Sequence, residues 1–432
     1  MIQIISYVSF VFAGLLGLLF LVNVLRGKSK KISKKVRKEI AARIRLYAVA
    51  GAIFLIAGVA LALIPEKSKE IKQFISEESP VDIYERTEKT RDLPSRIYAV
   101  GDDYYVLTGK GTTYGHLSFE EEETIIYKDG LCYRKLQSIS GDANLLATFD
   151  TKGNIKLNGA FEYLTYENDP TYFASERYAK KCSYLAATGN NLMYISGGDL
   201  YSAGYNAFGR LGDGTERNRT ESTKVLENVG SVSVSDTHTL AVDVYGNLYG
   251  FGDNSYSEMG NRTTAPSSVP IKLMNGIKQA QAGRYFSVVL TKNGEVHAAG
   301  RNDLGQLGTG DARDYAVFKK VLDGVMKIAV GENSCAALTD QGELYVWGDN
   351  SQGQFGLEEK QINAPVKIAE DVYDVALGKG SMGIIRLDRD VEVSGVARGE
   401  GKGAFTAIYT FDASVPEEER YQEIIEMPEL KE

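Results

Sequence analysis

Four glycine-rich phrases recur in one register: GYNAFGRLGDGT at 204–215, GDNSYSEMGNRT at 252–263, GRNDLGQLGTGD at 300–311 and GDNSQGQFGLEE at 348–359. Their first asparagines, Asn206, Asn254, Asn302 and Asn350, lie 48 residues apart each time. A fixed period of this length means that one supersecondary unit is built repeatedly and buries its apolar faces against its neighbours. Inside the units, alternating apolar residues flank a glycine, as in HTLAV and NLYGFG around Gly246, and again around Gly294 and Gly342. Period-two alternation across a glycine is an antiparallel hairpin, because glycine takes the positive φ that the turn needs. The fourth unit keeps only a degenerate version, LDRDV.

The frame continues beyond these four units. Gly153 and Gly198 occupy hairpin positions upstream. A second glycine position is held by Gly101, Gly159, Gly204, Gly252, Gly300, Gly348 and Gly395, at spacings of 58, 45, 48, 48, 48 and 47. One four-stranded sheet per period predicts an all-β, seven-bladed β-propeller over residues 97–412. An open solenoid competes with it, and seven anchors suit a closed ring. The alternating AFTAIYTF, 404–411, is expected to complete a blade with strands near Ile97, since an open edge invites aggregation.

The phrases, followed by VSVSDTHTLAVDVYGNLYGFG and IAVGENSCAALTDQGELYVWG, resemble the repeat of the regulator of chromosome condensation superfamily. The resemblance is strong over 197–395 and weak over 97–196, where the N-x-x-G-Q-L-G phrase is missing. It implies a seven-bladed propeller in which the phrase is structural. Leu211, Met259, Leu307 and Phe355 then plug the blade interfaces, and the asparagines bond their own backbone as turn asparagines do.

The segment before the propeller has a different character. Residues 4–25 and 46–64 are two uncharged apolar runs, each long enough to cross a bilayer core of ~30 Å. Between them, residues 26–45 hold ten Lys or Arg and one acid, Glu39. Short loops this basic stay in the cytoplasm. Residues 1–65 are therefore expected to form a transmembrane hairpin at the plasma membrane, with both termini and the propeller outside the cytoplasm. A secretory signal is the competing reading of the first run, which lacks a basic n-region. Residues 66–96 read as a charged linker and 413–432 as an acidic tail. Removing residues 1–65 leaves 39 basic and 56 acidic residues from totals of 49 and 57, a net of −17. Such a surface repels nucleic acid on average.

Chemistry-bearing motifs are sparse. The three histidines, His116, His238 and His297, form no HExxH or Cys/His cluster, so no metal or cofactor is expected. His238, at the start of an inner strand, reads as a core histidine. GVARGEGKGAF, 395–405, fails the phosphate-loop spacing, and no G-x-S-x-G elbow occurs. Cys132, Cys182 and Cys335 lack CxxC spacing; a Cys132–Cys182 bridge and three separate thiols both remain open. The segments after each phrase, 216–223, 262–269, 311–318 and 360–367, differ most between units and are expected to gather on one face. They bring Arg217, Arg219, Arg262, Arg313 and Tyr315, residue types common at protein interfaces. The sequence thus points to a non-catalytic binding module whose first partner class is an extracytoplasmic protein, with cell-wall glycan or peptide second. The resemblance also implies a guanine-nucleotide exchange factor as the alternative, and a further branch contains inhibitors of secreted β-lactamase. A wall-processing enzyme is the last rival, and it lacks a visible nucleophile, base and metal set.

Overall fold

The computed structural model describes residues 94–100, 103–108, 113–114, 136–142, 145–150, 153–159, 181–188, 190–395 and 406–409, all within the compact unit 79–432. The apolar runs 4–25 and 46–64, the basic loop 26–45 and the tail 413–432 lie outside the described residues. Among the described residues no helix is long and apolar enough to cross a membrane.

These residues form seven antiparallel sheets in chain order. Sheets 1 and 2, at 94–114 and 136–159, show three strands each; sheets 3 to 7, at 182–226, 229–274, 277–322, 325–369 and 372–409, have four. Sheet 4 shows the plan. Its strands Val229–Val234, His238–Asp243, Leu248–Gly252 and Ser267–Met274 pair in sequence order, the first at the ring centre and the last outside. The second strand is buried at every position because it has neighbours on both faces, whereas the outer strand mixes half-buried and exposed positions. The turn between the second and third strands falls on Gly246, Gly294 and Gly342, as the alternation predicted. In the degenerate unit Arg389 takes the left-handed conformation instead, with φ 87. The sheets begin at 229, 277, 325 and 372, so each 48-residue sequence unit straddles two of them.

Consecutive sheets pack face to face, and the seventh packs on the first. Tyr104 and Val106 share a core with Ile385, Val391 and Val393 at that seam. The expectation that 404–411 and the Ile97 strand share a blade is corrected here. Thr406–Tyr409 pairs with Val391–Gly395 as the outer strand of sheet 7, and Pro94–Val100 opens its own sheet against Asp103–Thr108. Each terminal strand already has a partner in its own sheet, so the ring closes by side-chain packing. That strand also starts three residues inside the expected linker, at a proline, which a first strand position tolerates.

Side chains tie neighbouring inner strands together. Ser140 Oγ accepts from Ala187 N at 2.9 Å, Ser233 Oγ from Ala282 N at 3.0 Å, and Gln279 Oε1 from Ile328 N at 3.0 Å. At the seam, Asp374 Oδ2 accepts from Ile97 N at 2.9 Å, while its Oδ1 pairs with Lys327 Nζ.

Candidate functional site

The repeated phrase forms the connection between the third and outer strands of sheets 3 to 6. Antiparallel strands alternate direction, so this connection shares a face of the ring with the connection between the first and second strands. The glycine-turn hairpins lie on the other face. Each phrase is pinned by its buried asparagine. Asn302 Oδ1 accepts from Leu307 N at 2.9 Å, and its Nδ2 donates to Asp311 O at 2.9 Å and Thr309 Oγ1 at 3.1 Å. Asn206, Asn254 and Asn350 repeat the pattern on Leu211, Met259 and Phe355 N, each at 2.9 Å. The four plug residues are buried, as expected from the resemblance. The asparagines clamp a loop of about ten residues, which is more than the local turn bond anticipated from sequence.

The clamped loops lean over the outer strand of the next sheet. Gly214 N donates to Ser268 O at 2.8 Å, Arg262 N to Ala316 O at 2.9 Å and Gly310 N to Asn363 O at 2.8 Å. This places Arg217, Arg219, Arg262, Arg313 and Tyr315 on one face but toward its outer edge. Arg219 is tied to Asp213 at 2.6 Å. Arg313 bonds Asp311 at 2.6 Å and Tyr315 Oη at 3.2 Å, so these two predicted residues come together around one carboxylate. The Arg313 guanidinium holds the Asp311 carboxyl far below its usual range. Arg217 and Arg262 are exposed, and among the described residues neither has an acidic partner. Arg262 adopts φ 66, and its neighbour Asn261 bridges to Val317 in the next sheet, close to Tyr315.

The same face also carries an aromatic ledge that sequence reasoning missed. Phe208 is 47% exposed with φ 59, and Tyr256, in the equivalent position one unit later, is 39% exposed. The next two units have Leu304 and Gln352 there. Tyr285 packs on Tyr256 with ring centroids 5.0 Å apart, and the Arg301 guanidinium lies 5.5 Å over the Tyr256 ring. Arg210 lies 4.9 Å over Tyr205, donates to Ala207 O at 3.2 Å and reaches Asp236 O in the next sheet. Burial lowers its pKa, against the pull of Tyr205, Asp236 and Asp253. The signal lay in the aligned column 208, 256, 304 and 352, which reads Phe, Tyr, Leu, Gln beside otherwise structural glycines.

A channel of about 950 Å³ runs through the centre, lined by the first strand of every sheet. His238 does not open onto chemistry. It is fully buried, Nε2 lies 2.8 Å from Ser287 Oγ and Nδ1 lies 3.0 Å from Thr237 Oγ1. Burial lowers its pKa to about 3, so the ring is neutral. His297 lies 3.3 Å from Glu295, and His116 is outside the described residues. Cys182 and Cys335 are buried free thiols, and burial pushes Cys182 up to about 11. Cys132 is outside the described residues. Among the described residues no group of three His, Cys, Asp or Glu is arranged to hold a metal ion.

A ring of antiparallel sheets around a channel, with loops on its faces, defines a β-propeller. Family models described as the regulator of chromosome condensation (RCC1) repeat match residues 245–290, 277–306 and 325–354. Residues 245–306 and 325–354 are thus similar to RCC1 repeats, within a fold like that of RCC1. No curated protein sequence matches it. Among solved structures, human WBSCR16 is 21% identical, covering 66% of this chain and 85% of its own, with TM-score 0.56. Yeast RCC1 (Prp20) bound to Kap60 is 17% identical over 77% of this chain and 87% of its own, with TM-score 0.58. Prp20p from Saccharomyces cerevisiae is 19% identical over 75% and 89%, also with TM-score 0.58. These likenesses speak to the fold.

Proposed function

We propose that this protein is a non-catalytic, membrane-anchored propeller of seven blades that captures a protein partner outside the cytoplasm. The observation that carries the reading is the ledge of Phe208 and Tyr256, with Arg301 over the Tyr256 ring. Large aromatics beside arginine, held on clamped loops, lose little conformational freedom on binding and are common interface anchors. Phe208 also holds a left-handed backbone conformation that costs a non-glycine residue energy, which is compatible with an exposed side chain kept for contact. The anchor rests on the two apolar runs and the ten basic residues between them. Fold likeness to yeast RCC1, whose structures include complexes with Kap60, supports a protein partner over a small substrate.

Two measurements test this. A photo-crosslinking amino acid at Phe208 or Tyr256 in the native membrane should give protein adducts, while one at Val244 or Tyr245, exposed on the opposite face, should not. Adducts from Val244 and Tyr245 alone would move the interface to the hairpin face. A reporter that functions only in the cytoplasm, fused after Glu432, should be silent; activity would reverse the orientation and favour the exchange-factor alternative.

A further inference from the structure

Glu258 sits in the aligned column that reads Arg210, Glu258, Gln306 and Gln354. All four side chains tuck between their own loop and the next sheet, and Glu258 is fully buried. The two glutamines show what the site asks for. Gln306 Oε1 accepts from Leu304 N at 2.8 Å while its Nε2 donates to Asp303 Oδ1 at 3.2 Å. Gln354 Oε1 accepts from Gln352 N at 3.3 Å while its Nε2 donates to Asp349 O. Both glutamines therefore use one acceptor and one donor. Glu258 supplies the acceptor, taking Tyr256 N on Oε2 at 2.9 Å. Its other oxygen, Oε1, has no hydrogen-bond partner. A carboxylate cannot donate, whereas a carboxylic acid offers one O–H where the glutamines offer N–H.

Among the described residues no basic group pairs with Glu258. On its own segment the neighbour is Asp253, which is also acidic. From the next sheet, Arg301 is paired with Asp303 at 2.5 Å, Arg284 is paired with Glu332 at 2.6 Å, and Tyr285 packs on Tyr256. Burial pushes the carboxyl up to about 7, against the backbone N–H of Glu258 and Tyr256, and Asp253 adds to the rise.

We propose that Glu258 is a pH-sensitive lock on the loop that presents Tyr256: as a carboxylic acid it fills the glutamine role, and as a carboxylate it loosens residues 254–260. If Tyr256 belongs to the partner-binding ledge, as proposed above, the lock makes partner capture stronger on the acidic side of neutrality. A carboxyl raised in the folded state stabilises fully below its unfolded value of about 4.5, loses that contribution as pH rises through about 7, and loses no more above it.

The test uses the full chain without any partner, so its outcome is separate from that of the binding reading. Amide exchange of residues 254–260, corrected for the intrinsic rate, is followed from pH 5 to pH 8 in wild type and Glu258→Gln. Wild type should lose protection on the order of fifty-fold across this range, most of it below pH 7, and Glu258→Gln should stay flat. The difference infrared spectrum between the two at pH 5.5 should show the C=O stretch of one protonated carboxyl. Parallel exchange profiles, or a spectrum showing only an ionised carboxylate at pH 5.5, would overturn the proposal.

Discussion

Replacing Asn302 by alanine tests whether the repeated phrase is a clamp. The side chain is fully buried and makes bonds of 2.9, 2.9 and 3.1 Å to Leu307 N, Asp311 O and Thr309 Oγ1. Truncation leaves Leu307 N–H without its acceptor beside a fully buried side chain, at about 1–3 kcal/mol for a buried orphan. Asp311 lies nearer solvent, so its carbonyl can turn to water and adds about 0.5–1 kcal/mol. A total loss of about 1.5–4 kcal/mol is expected from the denaturant midpoint of the full chain. Asn302→Asp separates the parts. It keeps the acceptor for Leu307 N but aims a second acceptor at Asp311 O, so it should be no better than alanine. Amide exchange at Leu307 should rise in the alanine variant and much less in the aspartate one. A change within about 0.5 kcal/mol for Asn302→Ala, the range of an ordinary surface substitution, would show that the glycines alone shape the loop.

Three further outcomes follow from the packing. Asp374→Ala removes the acceptor of Ile97 N and the partner of Lys327 at the ring seam, and should cost about 2–4 kcal/mol with faster proteolysis near residue 94. Leu307→Ala, at a fully buried plug, should cost about 2–5 kcal/mol in the same denaturant assay, whereas the combined Arg217→Ala and Arg262→Ala variant, at two exposed positions, should melt like wild type. His238 has a lowered folded pKa, so the unfolded chain takes up its proton first. Its contribution is intact above about 6.5 and is lost as pH falls toward about 3, and His238→Asn should remove that part of the acid slope in thermal unfolding.

The parts of the fold set by strict periodicity were legible from the residues. Alternation around Gly246, Gly294 and Gly342 placed the hairpins, and the resemblance of the repeated phrase to a known repeat placed Leu211, Met259, Leu307 and Phe355 in the interfaces. Sheet boundaries were not legible, because a ring has no natural starting strand and a repeat in sequence can be cut anywhere. The seam was misread for a related reason. Alternation in 404–411 announces a strand, but only pairing energy chooses its partner, and Val391–Gly395 is the nearer one along the chain. At the candidate site, arginines in the variable segments drew notice by type alone. Their carboxylate partners Asp213 and Asp311 became visible only once the loops had a shape. Phe208 and Tyr256 escaped because a hydrophobic residue is expected inside, and at Phe208 the exposed placement comes with a positive φ that no single-residue pattern announces.

The asparagine clamps hold main-chain carbonyls nine positions on, at Thr215, Thr263, Asp311 and Glu359, and take a main-chain N–H five positions on. Every residue type except proline offers that N–H, and all offer the carbonyl. The loop's path is therefore largely independent of the exposed side chains it displays. Each unit behaves as a cassette with a fixed frame and an exchangeable message. Selection can rewrite the displayed residues one at a time with little toll on folding, and the ring can acquire new partners without being rebuilt.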